Sequence, residues 1–337
     1  MIICVSANPA IDCRSRVRRL TPGSIHRART IERFPGGKAA HVAMAASALG
    51  EPVLWVGMLG GSTGAECELG LVARGIAVAV ARTECATRMN LELLDDDGTV
   101  TEVLEPGGPV TAREIENFLT ICDRVFEEQR DSSVVVICGS LPVGAPVTLY
   151  AEVMRRAHDR GCRAYVDASG DALQAALAAA PDLVKPNHVE ISAARDVRVS
   201  TLSDAAIAAE WLIDCGAAGA AVSLGSRGIV WKRDAESKAI YAALPAVTGV
   251  STVGCGDAAM AGFAVARARG LAPAATIALA AACGTANCAA TEPGMIDARE
   301  VERLIPLVET FEVNALDSRA AADAPSAEAA AGEGNLT

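Results

Sequence analysis

Residues 251–270 read STVGCGDAAMAGFAVARARG, and their types and spacing could do chemistry. Gly254 and Gly256 flank Cys255, Asp257 follows at once, and a long run of small residues of helical character begins there. Successive backbone N–H groups at a helix start form an anion hole, and the helix dipole favours negative charge there. Glycines let a phosphate approach the main chain. A carboxylate at that place cannot itself bind phosphate. It can take the proton of a hydroxyl that attacks the phosphate, while the N–H groups hold the charge that builds on the transferring group. Taken alone, the same letters also fit a plain turn with Asp257 as helix N-cap. A second stretch, FPGGKAAHVAMAASALG over residues 34–50, sets Gly36, Gly37 and Lys38 before another small-residue helix. It lacks the G-x-x-x-x-G-K-[ST] spacing of a nucleotide P-loop, because alanine follows Lys38.

The elements that must position these groups follow an alternating plan. MIICVSA, PVLWVGMLG, IAVAVART, SSVVVICGS, CRAYVDAS and DLVKPN read as strands, and AAGAAVSLGSRGIVWKR as strand, turn, strand. Between them lie helix-length segments: AAHVAMAASALG closed by Gly50, TGAECELGLVARG closed by Gly75, PVTLYAEVMRRAHDRG, GDALQAALAAA and LSDAAIAAEWLIDCG. Strands apolar on both faces and separated by helices predict a mostly parallel sheet covered on both sides. Ligands then bind beyond the carboxyl ends of the strands. Two segments break the plan. Residues 12–36 are polar and basic, and residues 87–106 read as two strands joined by Asp-Asp-Asp-Gly. They are expected to form a small β lid over the substrate; a pair of exposed excursions is the alternative. Residues 315–337 are low-complexity and read as a disordered tail, leaving 1–314 as the working domain.

Composition excludes several classes. The net charge of −11 speaks against a nucleic-acid partner, which needs a basic surface. The 11 cysteines are odd in number, form no C-x-x-C pair and often sit in apolar runs. They read as small buried hydrophobes of a reducing, cytoplasmic setting. His26, His41, His158 and His188 show no metal-ligand spacing. No membrane span is expected, and the N-terminus reads as a strand rather than a signal peptide.

TVGCGDAAMAGF resembles the signature of the PfkB, ribokinase-like carbohydrate kinases, usually T-V-G-A-G-D. ANPAID, PGGKAAHVA, TRMN, CGSLPVG, VDASGDAL, LVKPNHVEI and SLGSRGIVW match that family in order, over about residues 1–314. The likeness is strongest to the branch of 1-phosphofructokinase, tagatose-6-phosphate kinase and the minor 6-phosphofructokinase. It implies a ribokinase-like three-layer α/β/α fold with a small β lid, and a phosphotransferase using ATP and Mg²⁺ on an alcohol group. By the same resemblance Asp257 is the catalytic base, and Gly254, Cys255 and Gly256 supply the anion hole. Ser223, Gly225, Gly228, Ser251 and Val253 line the nucleotide. Lys185, Asn187 and Glu190 lie near the phosphates, with Asn187 and Glu190 reaching the metal largely through water. Asn287 either closes the adenine pocket or is a core polar residue. On the sugar side the resemblance implies Asp12, ending the first strand, with Gly36, Gly37, Lys38, Ser140, Arg88 and Asn90. Arg88 would hold a phosphate already on the substrate, with Arg27 either a second such group or part of a solvated basic face. The lid edge is a candidate surface for pairing with a second copy.

Two departures fall on the sugar side. Where relatives read G-G-K-G-x-N, this chain has Ala39 and His41. Histidine can donate and accept like asparagine, but it is larger and can become charged. An altered sugar preference is expected, unless His41 merely packs at a helix start. A third departure is Cys255 in place of alanine. A helix start lowers a thiol pKa, so an oxidation-sensitive thiol is one reading and a packed small side chain the other. The implied reaction is 1-phosphofructokinase-like, fructose 1-phosphate to fructose 1,6-bisphosphate. Tagatose 6-phosphate, fructose 6-phosphate, a neutral sugar or a nucleoside remain as acceptors, and a non-catalytic sugar or nucleotide binder as the other class.

Overall fold

A computed structural model describes residues 1–129, 133–243, 247 and 251–313. The proposed tail, 315–337, lies outside them. In chain order the strands are β1 Ile2–Ser6, β2 Ala10–Arg16, β3 Thr30–Gly36, β4 Val53–Leu59, β5 Ala77–Arg82, β6 Arg88–Leu94, β7 Val100–Leu104, β8 Val134–Cys138, β9 Arg163–Asp167, β10 Leu183–Val184, β11 Ala220–Ser223, β12 Ile229–Lys232, β13 Ala239–Ala243 and β14 Glu309–Val313. The helices are α1 Lys38–Ala48, α2 Gly61–Ala73, α3 Ala112–Glu128, α4 Leu149–His158, α5 Gly170–Leu177, α6 His188–Arg195, α7 Leu202–Asp214, α8 Cys255–Ala268, α9 Pro273–Cys288 and α10 Ala298–Leu304.

The large sheet runs β14-β13-β12-β11-β10-β9-β8-β1-β4-β5. From β5 to β11 every neighbour is parallel, and β12, β13 and β14 extend it antiparallel. Alternate residues of each central strand enter opposite cores, as the two-residue pleat requires. Ile2, Cys4, Val136 and Cys138 pack with α1, α2, α8, α9 and α10. Ile3, Val5, Val135 and Ile137 pack with α3, α4, α5, α6 and α7. This is the three-layer α/β/α arrangement expected from the sequence.

The two segments that broke the alternation do meet. They form a four-stranded sheet ordered β3-β2-β6-β7, with β2 parallel to β6 and the outer pairs antiparallel. One expectation is corrected here. Asp12 does not end the first strand: β1 stops at Ser6, and Asp12 lies within β2, opposite Asn90 and Phe34 in the lid. A short apolar run interrupted by Asn8-Pro9 looks continuous by letter, but the proline turns the chain into a second sheet. Inside the lid, Arg14 is fully buried, pairs with Glu92 at 2.8 Å and also donates to the carbonyl of Thr291. Ser251 Oγ donates to the other Glu92 oxygen at 2.9 Å.

Candidate active site

The site is built on the start of α8. Gly254 is its N-cap, with φ +80°, a conformation that disfavours any side chain. A Cβ there would come 2.9 Å from Pro293 Cβ. No side chain caps the helix; Cys255 N–H donates to the Thr252 carbonyl at 3.3 Å, which leaves the N–H groups of Gly256 and Asp257, without intrahelical partners, to face an anion. Asp257 sits in this first turn and is 7% exposed. Beside the turn stands Lys185, whose Nζ lies 3.4 Å from where a Cβ on Gly256 would be. An ammonium, helix N–H groups and a carboxylate thus converge, as phosphoryl transfer to a hydroxyl requires.

Across from Asp257 stand residues expected on the sugar side, Asp12 and Asn90 from the lid and His41 from α1. Asp12 Oδ1 accepts from Asn90 Nδ2 at 2.8 Å. Asp12 lies directly over Gly36, where an added Cβ would fall 2.2 Å from its carboxyl carbon. His41 joins the two carboxylates: Nε2 is 2.8 Å from Asp12 Oδ2 and Nδ1 is 2.8 Å from Asp257 Oδ2. Burial disfavours a charged imidazole, but hydrogen bonds to both carboxylates outweigh it and raise His41 to about 10. Burial would raise Asp12, yet His41 and Asn90 draw it below the ordinary carboxylate value. His41 therefore does not merely pack at a helix start.

Other expected residues are placed as follows. Lys38 turns from the lid toward Asp167 at 2.6 Å and Glu190 at 3.3 Å, and burial, which would lower it, is outweighed by these acids so that it rises well above its usual value. Glu190 and Asn187 form a capping box on α6: Asn187 Oδ1 accepts from the N–H groups of Val189 and Glu190, and Glu190 Oε2 from that of Asn187. Ser223 forms a bridge with Asn187 at the end of β11. Gly225 and Gly228 shape the following turn with φ +64° and +96°. Arg88 spends its fork on the carbonyls of Asn8 and Glu105 and on Asn90 Oδ1. Ser140 accepts from Asn8 Nδ2 at 3.0 Å, and Gly37 is the N-cap of α1. Arg27 is exposed in the loop between β2 and β3. Ser251 Oγ also accepts from Val253 N–H. Asn287, 2% exposed, donates to the Val253 carbonyl at 2.7 Å and accepts from Gly294 N–H at 2.7 Å, bracing the anion loop.

The lowered Cys255 thiol is a second correction. Cys255 Sγ lies 3.3 Å from Cys288 Sγ. That contact, with burial, pushes Cys255 up, and the same contact lowers Cys288 to about 7. The neighbouring thiol ends α9. Two residues of the site carried no role in the sequence reading. Asp167, in the VDAS stretch, is held by Lys38 and by Lys185 at 2.8 Å. Asn8, in ANPAID, ties the β1–β2 turn to Pro106 and Ser140. Both stretches were visible, but not the partners 129 and 132 residues away.

A doubly covered α/β sheet, a β lid and a carboxylate at an open helix start define a sugar kinase of the ribokinase-like class. The chain belongs to the pfkB family of carbohydrate kinases, whose family model matches residues 1–326. It is 34% identical to a 1-phosphofructokinase of Rhodobacter capsulatus over 94% of this chain and 98% of that one. It is 28% identical to a tagatose-6-phosphate kinase of Staphylococcus epidermidis, over 93% of this chain and 100% of that one. Among solved structures it resembles phosphofructokinase-2 from Escherichia coli in complex with potassium, with TM-score 0.83 and 27% identity, covering 90% of this chain and 98% of that one.

Proposed function

We propose that the protein transfers the γ-phosphoryl group of ATP to a hydroxyl of a phosphorylated ketohexose, with fructose 1-phosphate as the first acceptor to test. The observation that carries this is Asp257 in the first turn of α8, facing Asp12 and Asn90 of the lid and His41 of α1. In the reaction the acceptor oxygen bonds to the γ-phosphorus, its proton passes to Asp257, and the β–γ bridging bond breaks to release ADP. The N–H groups of α8 and Lys185 hold the transferring charge. Relatives named 1-phosphofructokinase and tagatose-6-phosphate kinase support a substrate that already bears phosphate. Arg88, on β6 beside Asn90, is the group proposed for it, and binding would exchange its bonds to the Asn8 and Glu105 carbonyls and Asn90 Oδ1 for phosphate oxygens.

Mg²⁺ fits this site as a mostly hydrated ion. Among the described residues no three His, Cys, Asp or Glu side chains form a metal cage, and Mg²⁺ commonly keeps several waters with few protein ligands. Glu190, one-fifth exposed, is the carboxylate that suits it, with Oε1 3.3 Å from Lys38 Nζ and Oε2 accepting from Asn187 N–H, while the neutral Asn187 Oδ1 accepts two N–H groups of the helix cap. The ion would neutralise phosphate charge. Exposed Ile31 on β3 and Val103 and Leu104 on β7 support pairing of two copies through the lid.

ADP release with MgATP, measured over fructose 1-phosphate, tagatose 6-phosphate, fructose 6-phosphate, neutral sugars and nucleosides, tests the reading. The phosphorylated ketohexoses should give the highest kcat/KM. Asp257→Asn should lower kcat by about 10²–10⁴-fold while ATP binding stays measurable by calorimetry. Near-wild-type turnover in that variant, or no turnover with any acceptor, would overturn it.

A further inference from the structure

His41 is a buried group whose surroundings the kinase reading leaves unexplained. It is 4% exposed, and each ring nitrogen lies 2.8 Å from a different carboxylate oxygen. A carboxylate can only accept a hydrogen bond, and a neutral imidazole carries one N–H. With both carboxylates ionised, both nitrogens must donate. Three groups then hold two protons, and the trio carries one net negative charge. The asparagine of the family pattern could not hold this trio in the same way. A carboxamide brings no charge, and it offers an acceptor oxygen that a doubly protonated ring lacks.

The surroundings fix the backbone that carries the ring. Its backbone starts α1 with a bond from His41 N–H to the Gly37 carbonyl. Gly294 packs so closely that a Cβ there would fall 2.6 Å from the His41 carbonyl oxygen. Asn287 in turn holds Gly294. Other ionisable groups act on the trio from each side. Arg88 acts on Asp12 from β6, Glu102 reaches it from β7, Cys67 from α2, and Lys38 acts on Asp257 from α1 itself. Arg14 and Glu92, in the same lid strands, neutralise each other.

We infer that His41 is a positioning residue, a doubly protonated bridge from Asp12 that holds the Asp257 carboxylate in place and must be accommodated by any acceptor hydroxyl reaching that base. The inference rests on the kinase reading for the role of Asp257. The bridge occupies one oxygen of each carboxylate and leaves Asp257 Oδ1 to take the incoming proton, after which the trio is neutral. It also removes an acceptor from the sugar side and commits both ring N–H groups to carboxylates, so a hydroxyl that would bond to asparagine finds no free partner on His41. The pocket therefore favours acceptors that need no hydrogen bond from the ring at that position.

Two measurements test this. Long-range ¹H–¹⁵N spectra of the full chain, with ¹⁵N-labelled histidine, report the protonation of each ring nitrogen. His41 is assigned by substituting the other three histidines, so no variant at His41 need fold. Both His41 nitrogens should stay protonated from pH 6 to pH 8, and a bare nitrogen at pH 7.5 would overturn the bridge. This result does not depend on turnover, so it fails separately from the kinase reading. The second measurement is the pH profile of kcat/KM for His41→Asn and His41→Gln with the acceptor found above. Losing a cation beside a carboxylate makes it bind protons more readily, so the acid limb should move up by about one to two pH units. The KM for ATP should stay within twofold. An acid limb at the wild-type position in a folded variant would contradict the positioning role.

Discussion

Asp167 shows how one carboxylate serves both halves of the cleft. It is 2% exposed, and its oxygens meet Lys38 at 2.6 Å and Lys185 at 2.8 Å. Burial would raise its pKa, but the two ammonium groups bring it down to about 2. Lys38 begins the helix that carries His41, and Lys185 stands by the α8 start, so Asp167 ties the start of α1 to the surroundings of the α8 start. Removing it leaves two ammonium groups facing each other, with Lys185 stripped of its 2.8 Å carboxylate partner and Glu190, 3.3 Å from Lys38, the one ion-pair partner remaining beside them. Asp167→Ala should cost about 3 kcal/mol at pH 7 by urea denaturation. A carboxyl lowered on folding contributes stability that is present above its unfolded pKa near 4 and lost as pH falls through its folded value. The gap between wild type and variant should therefore narrow between pH 4 and pH 2. A gap that stays constant would show that the pair with the lysines is not its source. The sequence could not announce this role, because the letter D in VDAS says nothing of lysines 129 and 18 positions away.

At the scale of elements, the anion hole depends on how closely α8 lies on α9. A Cβ at Gly262 would fall 2.6 Å from Ala280 Cα, and one at Gly284 would fall 3.1 Å from the Cys255 carbonyl oxygen. Small residues thus bring the two backbones into contact. Gly262→Leu must push them apart, and overpacking of this kind costs about 1–3 kcal/mol. Both Tm and kcat should fall, because the displaced helix carries Asp257. A loss of Tm with kcat unchanged would separate the packing from the site. The small-residue run of α8 was legible from its letters, as were most parallel strands, whose apolar runs end in Gly or Asn. Helix α3 was missed although Thr111-Ala-Arg-Glu114 forms a capping box, since its polar surface lacks a continuous apolar run. The β13–β14 pairing was missed for another reason: Ala239 meets Val313 across the sheet, and no local pattern encodes such a distant partner.

For the molecule as a whole, the fold class and the existence of the lid were readable, and the way the lid is fastened was not. Arg14, Glu92, Ser251 and the Thr291 carbonyl form one buried polar chain from β2 and β6 to the segments flanking α8 and α9. Each link joins positions that are unremarkable by type and distant by number. A lid is commonly pictured as a flap that opens at little cost, yet releasing this one breaks the hydrogen bonds that tie Arg14 to the Thr291 carbonyl and Glu92 to Ser251, each made by a charged group, while the ion pair itself stays within the lid. Amides of β2 and β6 should therefore exchange with deuterium as slowly as those of β1 and β8, and much more slowly than the β6–β7 turn around Gly98. Rapid exchange throughout β2 would mean that the insert frays by itself. The polar chain thus makes the appended sheet part of the same cooperative folding unit as the body. Access to the cleft must then come from small displacements of the sheet tip and its loops, and a protease should find no intermediate that has shed the lid while keeping the core.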